Sequence, residues 1–132
     1  MIFIDSNIPM YLIGNDPEQR ARARSLLEQA IGNREKLVTS AEVLQEILHR
    51  YVAIARRDAI QPAFDALLGL VDEVFPVELD QVQRARVILL ERHRLSARDA
   101  LHLATMERFR LNRIMSFDSG FDHIPGVTRL PS

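Results

Sequence analysis

The chain has 132 residues, a formal net charge of −1, 47% hydrophobic and 27% charged positions, a balance expected of a single globular domain over 1–132 rather than of a disordered chain. Zero cysteines exclude disulfides, thiolate nucleophiles and thiolate metal sites, so any metal is held by oxygen or imidazole. The near-neutral charge supplies no global field for nucleic acid, and no apolar run approaches the ~20 residues of a membrane span, so a cytoplasmic protein with no membrane partner is expected.

Met1, Ile2, Phe3 and Ile4 read as a short buried strand that ends in Asp5, Ser6 and Asn7 and turns into a helix with Pro9 near its start. Asp16 and Pro17 cap a second helix through Leu26, Leu27 and Ile31, which stops near Gly32 and Asn33. A second strand is predicted over 36–39. Thr39 and Glu42 have capping-box spacing, and Val43, Leu44, Ile47, Leu48, Tyr51, Val52 and Ile54 continue a helix to about Arg57. A helix over 63–70 and a strand or extended link over 74–77 follow. Asp80 with Gln83 opens a helix to about Arg94, and Ser96 caps another over 97–110. Arg113, Ile114 and Met115 form a fourth apolar run, with a last edge strand over 126–130. Strands that alternate with helices predict an α/β fold, a three-layer α/β/α sandwich around a mainly parallel sheet of four to five strands. The glycines are too scattered for a phosphate-binding loop.

Four acids fall at comparable points of that order. Asp5 follows the first strand, Glu46 lies in the helix after the second, Asp99 sits at a helix start, and Asp118 follows the fourth strand. In a parallel sheet Asp5 and Asp118 share the carboxyl edge, where α/β proteins bind ligands, and the two helical acids can reach the same cleft. Four carboxylates at short range repel one another, and a hard divalent cation offsets that repulsion, so the pattern points to Mg²⁺ or Mn²⁺. A cation so held serves phosphodiester hydrolysis. Each acid also has a structural reading. Asp99 completes a capping box with Ser96, Glu46 pairs with Arg50 at i+4, Asp118 makes a turn with Ser119 and Gly120, and Asp122 is either a further supporting acid or the cap of the last turn. Glu42 is assigned to the box with Thr39, and His102, one turn beyond Asp99, could face the cleft but, among Leu101, Leu103 and Ala104, reads more readily as a half-buried histidine satisfied within the fold. Arg20, Arg22, Arg24, Arg50, Arg56 and Arg57 are candidate phosphate contacts, and Tyr11 a candidate for stacking on a base.

MIFIDSN, VTSAEVLQEIL, LSARDALHLATM and IMSFDSGFD, in this order, resemble the PIN-domain ribonucleases, most closely the VapC-type toxins of toxin-antitoxin pairs. The resemblance implies metal-binding and catalytic roles for Asp5, Glu46, Asp99 and Asp118, with Ser6 and Ser116 as supporting hydroxyls and Asp122 as a supplementary acid. It further implies an endoribonuclease acting on tRNA, rRNA or mRNA, products with a 5′-phosphate and a 3′-hydroxyl, a homodimer, and inhibition by a small antitoxin. Ser6 and Asn7 stand where Thr and Ser are commoner in the family. A non-catalytic PIN-like module that binds RNA or protein is the alternative, and an intact set of four acids argues against it.

Overall fold

The computed structural model describes residues 1–131. Five strands form one sheet: β1 (Ile2–Ile4), β2 (Leu37–Ser40), β3 (Glu73–Phe75), β4 (Arg113–Met115) and β5 (Thr128–Leu130). Their spatial order is β3-β2-β1-β4-β5 and every pairing is parallel. Six helices flank the sheet: α1 (Asn7–Ile13), α2 (Pro17–Gly32), α3 (Ala41–Ala53), α4 (Ile60–Leu70), α5 (Leu79–Glu91) and α6 (Ala97–Arg108). Phe3 and Ile4 on the central strand are fully buried, as are Val38, Ile114, Met115 and Phe121. Near-continuous apolar runs are what a parallel strand covered on both faces requires.

The order of strands positions the site. From β1 the chain moves to β2 and β3 on one side of the sheet, then crosses to β4 and β5 on the other. β1 and β4 therefore flank a point where the winding reverses, and a crevice opens at their carboxyl ends. Ile4 pairs with Met115, so Asp5 and Ser116 emerge side by side there.

Several predicted boundaries move. Ser40, not Thr39, caps α3, its hydroxyl accepting from the Val43 N–H at 3.4 Å. Thr39 instead lies in β2 and donates its hydroxyl to the Ile4 carbonyl at 2.9 Å, so the expected box with Glu42 does not form. α5 opens two residues early, at a cap where Gln81 Oε1 accepts from the Glu78 N–H at 2.9 Å. α3 and α6 stop short of their predicted ends at Ala55 (φ 57°) and Arg110 (φ 60°), whose left-handed backbone turns the chain off the helix. The Asp16 cap is as expected, its carboxylate accepting from the Glu18 and Gln19 N–H groups.

Candidate active site

Asp5 is buried, 4% exposed, at the end of the central strand. Its two oxygens are occupied separately. The Ser6 N–H donates to Oδ1 at 2.8 Å, and the Ser116 hydroxyl to Oδ2 at 2.6 Å. Ser116 is also the hub of a small network, because its oxygen accepts from the Asn7 amide at 3.2 Å and from the Asp118 N–H at 3.0 Å. Asn7 closes the loop by accepting from the Phe117 N–H at 3.2 Å. The β1–α1 and β4–β5 connections are thus sewn together around one carboxylate, a role for Asn7 that strand and helix patterns do not reveal.

α3 carries Val43, Ile47 and Tyr51 into the core at i, i+4 and i+8, which sets Glu46 beside that buried face and turns it to the crevice. The Ser6 hydroxyl donates to its Oε2 at 3.4 Å. Its Oε1 meets His102 Nε2, and the same nitrogen lies 3.8 Å from Asp5 Oδ1. His102 is fully buried, and its Nδ1 has no hydrogen-bond partner among the described residues. The expected self-sufficient histidine is therefore a neighbour of two site acids. Glu46 makes no ion pair with Arg50 among the described residues; Arg50 lines the same cleft of about 260 Å³ as Asp5, Glu46, Asp99 and Asp118, together with Arg98.

Asp99 is held in the first turn of α6 by the Ser96 cap, its N–H donating to the Ser96 hydroxyl at 3.1 Å. Asp118 is the most exposed of the four acids, and the Gly120 N–H donates to its Oδ1 at 2.8 Å. A Cβ at Gly120 would lie 3.1 Å from that same oxygen, so the glycine leaves the carboxylate room. Asp122 is placed differently. Its carboxylate is taken by Arg129 at 2.8 and 3.1 Å, and it is not among the residues that line the cleft.

Crowding shows in the protonation equilibria. Burial pushes the Asp5 carboxyl above its ordinary range, against the pull of His102 and the Ser116 hydrogen bond. Burial, then the charges of Asp118 and Asp5, raise Asp99 to about 6. For His102 burial opposes the charged ring, yet the hydrogen bond to Glu46 and the surrounding carboxylates outweigh it and the pKa rises. Partial burial likewise raises Glu42, which feels both His102 and Glu46.

Asp5 and Asp99 are drawn toward their protonated forms and His102 toward its charged form, the response of acids crowded around a space that a cation would neutralise. One ligand atom each from Asp5, Glu46 and His102 lies within 4.8 Å of the others, and Asp99 and Asp118 face the same space. Hard oxygens with one imidazole at the margin fit a divalent cation.

The chain matches the PIN domain family over residues 2–127. It is 59% identical to Ribonuclease VapC13 of Mycobacterium tuberculosis over 130 residues, 98% of this chain and 99% of that protein. It is 41% identical to Ribonuclease VapC23 of the same species over 118 residues, 89% of this chain and 93% of that protein. Among solved structures it resembles Mycobacterium tuberculosis VapC20, described as a sarcin-ricin loop cleaving toxin, with a TM-score of 0.71 and 23% identity over 89% of this chain and 90% of that one. It also resembles VapBC2 from Rickettsia felis bound to a promoter DNA fragment, with a TM-score of 0.73 and 18% identity over 98% and 97% of the two chains. At these identities the likeness to the structures is one of fold. By sequence, fold and relatives, the chain belongs to the PIN domain family and, within it, to the VapC ribonucleases.

Proposed function

We propose that this protein is an endoribonuclease toxin that hydrolyses RNA phosphodiester bonds with Mg²⁺ or Mn²⁺, leaving a 5′-phosphate and a 3′-hydroxyl. The observation that carries the reading is the convergence of Asp5, Glu46, Asp99 and Asp118 on one cleft at the sheet's winding reversal. Asp5, Glu46 and Asp99 would hold the cation, with Asp118 completing the set. Such an ion lowers the pKa of a bound water and stabilises charge on the phosphate during in-line displacement.

The chain's own residues do the rest. Ser116 and Ser6 fix the Asp5 and Glu46 carboxylates by hydrogen bonds, which pre-organises the acids before an ion arrives. His102 orients Glu46 from behind. Arg50 and Arg98 line the cleft and make no ion pair among the described residues, so their guanidinium groups are available to the negative backbone of a single strand. They counter the repulsion that an acidic cleft would otherwise exert on RNA.

A small antitoxin and a second copy of the chain are the proposed partners. VapBC toxin-antitoxin complexes are among the folds this chain resembles. Leu48, Val52 and Ile54 at the outer side of α3, and Leu79, Val82 and Leu90 on α5, remain exposed, apolar surface of the kind association covers. No described helix is long and apolar enough to cross a membrane.

Cleavage of a panel of labelled tRNA, rRNA and mRNA fragments, by protein freed of any antitoxin, tests the reading. Cleavage should need Mg²⁺ or Mn²⁺, stop with EDTA, and fall at least a thousandfold in Asp5→Asn. Activity that survives Asp5→Asn would place the chemistry elsewhere, and binding without cleavage by metal-loaded protein would return the non-catalytic alternative.

A further inference from the structure

The catalytic cleft shares two wall residues, Met10 and Tyr11, with a neighbouring cavity of about 210 Å³. The neighbour lies against α1, the turn into α2 and the far end of α3, where Asn15, Gln19, Tyr51 and Arg56 complete much of its lining. No step described above uses it.

Its chemistry is that of a binding site for a flat, uncharged, polar group. Asn15 and Gln19 line the cavity, and their carboxamides take part in no side-chain hydrogen bond with the described residues, so each keeps its donors and acceptor for a ligand. Arg56 is already neutralised by Asp58, which it grips at 3.1 Å through two nitrogens, so the lining does not favour a phosphate. Tyr11 supplies an aromatic wall that is held in place. Its ring stacks on Phe117 with centroids 4.7 Å apart and planes 12° from parallel, and the Arg22 guanidinium lies 4.6 Å from the Phe117 ring. Phe117 immediately precedes Asp118, so this stack is tied to the catalytic edge. An aromatic surface with free amides beside it is the combination by which proteins take up an unstacked base, the ring packing on one face and the amides reading the edge.

We propose that this cavity is a nucleobase subsite, in which the base of a nucleotide next to the scissile phosphate packs on Tyr11 and is read at its edge by Asn15 and Gln19. The subsite rests on the endoribonuclease reading and adds to it a source of sequence preference. Continuity through Met10 and Tyr11 means that a strand with its phosphate among the acids can deliver its next base into the cavity without leaving the surface.

The test uses a single-stranded RNA pool randomised around the cut, digested with Mn²⁺ and sequenced at the new 5′ ends. Wild-type protein should show a preference of roughly tenfold at one position beside the cut, the discrimination of one good amide–base contact. The double variant Asn15→Ala/Gln19→Ala should flatten that position to about twofold or less and leave the others as they were. Tyr11→Phe should retain the preference and Tyr11→Leu should lose it. A binding assay separates this from chemistry: Asp5→Asn protein should bind a short RNA about tenfold more weakly when one particular position is abasic, and the double variant should abolish that penalty. A preference unchanged in the double variant, or binding indifferent to every abasic position, overturns the subsite while leaving the nuclease standing. Failure of wild-type protein to cleave any RNA with either metal overturns the nuclease reading, and the subsite with it.

Discussion

Ser116 is the residue on which the hydrogen bonds of the acidic cleft converge. It donates to Asp5 at 2.6 Å and accepts from Asn7 and from the Asp118 N–H, so its removal frees two acids together. Ser116→Ala should weaken Mn²⁺ binding and lower cleavage by 10–100-fold, as loss of a ligand's supporting hydrogen bond does, measured by calorimetric titration and by initial rates. Equal metal affinity in variant and wild type would refute that role. Asp5, Asp99 and Asp118 are legible because each follows punctuation that sequence displays, a strand end, a cap or a turn; Glu46 is set apart from Glu42 by a Thr39 box that does not form, and Ser116 comes only from the family resemblance. His102 is legible only in part: its place one turn beyond Asp99 allows it to face the cleft, but Leu101, Leu103 and Ala104 surround it with the pattern of a packed helix, and its partner Glu46 is 56 positions away. Asn7 stands out only as a departure from the family's commoner residue, and its role is hidden for a similar reason: its contacts to Ser116 and Phe117 span 109 and 110 positions, and only the β1–β4 pairing creates them.

Helix ends are where the fold departed most from its predicted outline. α2, α3 and α6 close with bonds from the Glu35, Arg56 and Leu111 N–H groups back to the Ala30, Tyr51 and Met106 carbonyls. The left-handed residues within these closures are Arg34, Ala55 and Arg110, where glycine is the usual signal, so α3 and α6 read as longer than they are. Exposed Ala55 bears the strain without evident return. Ala55→Gly should therefore stabilise the protein by about 0.5–1 kcal/mol in urea denaturation, a sign opposite to that of glycine in a helix interior. The α5–α6 pair depends on a polar contact instead. Buried Gln81 donates to Thr105 at 2.8 Å and accepts from Arg108 at 2.7 Å and from the Glu78 N–H. Gln81→Ala should cost about 1–3 kcal/mol, because it strands those donors at once; a loss below half a kcal/mol would mean that water replaces the amide.

For the molecule entire, the acid cleft sets a pH dependence of stability. Asp99, raised to about 6, and Asp5, raised by burial, hold protons in the native state that the unfolded chain has released, and His102 is shifted upward as well. A native state that binds more protons gains stability as pH falls through these values. Ion-free protein should melt higher at pH 5.5 than at pH 7.5. A Mn²⁺ concentration of a hundred times the pH 7.5 dissociation constant should add about 2.7 kcal/mol at that pH, and the same concentration less at pH 5.5, where protons compete for the same oxygens and weaken binding. A melting temperature that rises with pH in the ion-free protein would contradict the shifts. The sheet order matters on another axis, that of local opening. Asp5 continues the central strand, and its own N–H bonds the Met115 carbonyl at 3.0 Å, whereas β3 and β5 are edges of three residues each. Native proteins open from their edges inward, so the Asp5 amide should exchange with deuterium only when the whole molecule unfolds, while those of β5 exchange through fraying. Opening at the β5 edge would therefore leave Asp5 in place yet reach Asp118, which lies on the β4–β5 connection, and Ser116, whose N–H bonds the Leu130 carbonyl at 2.9 Å.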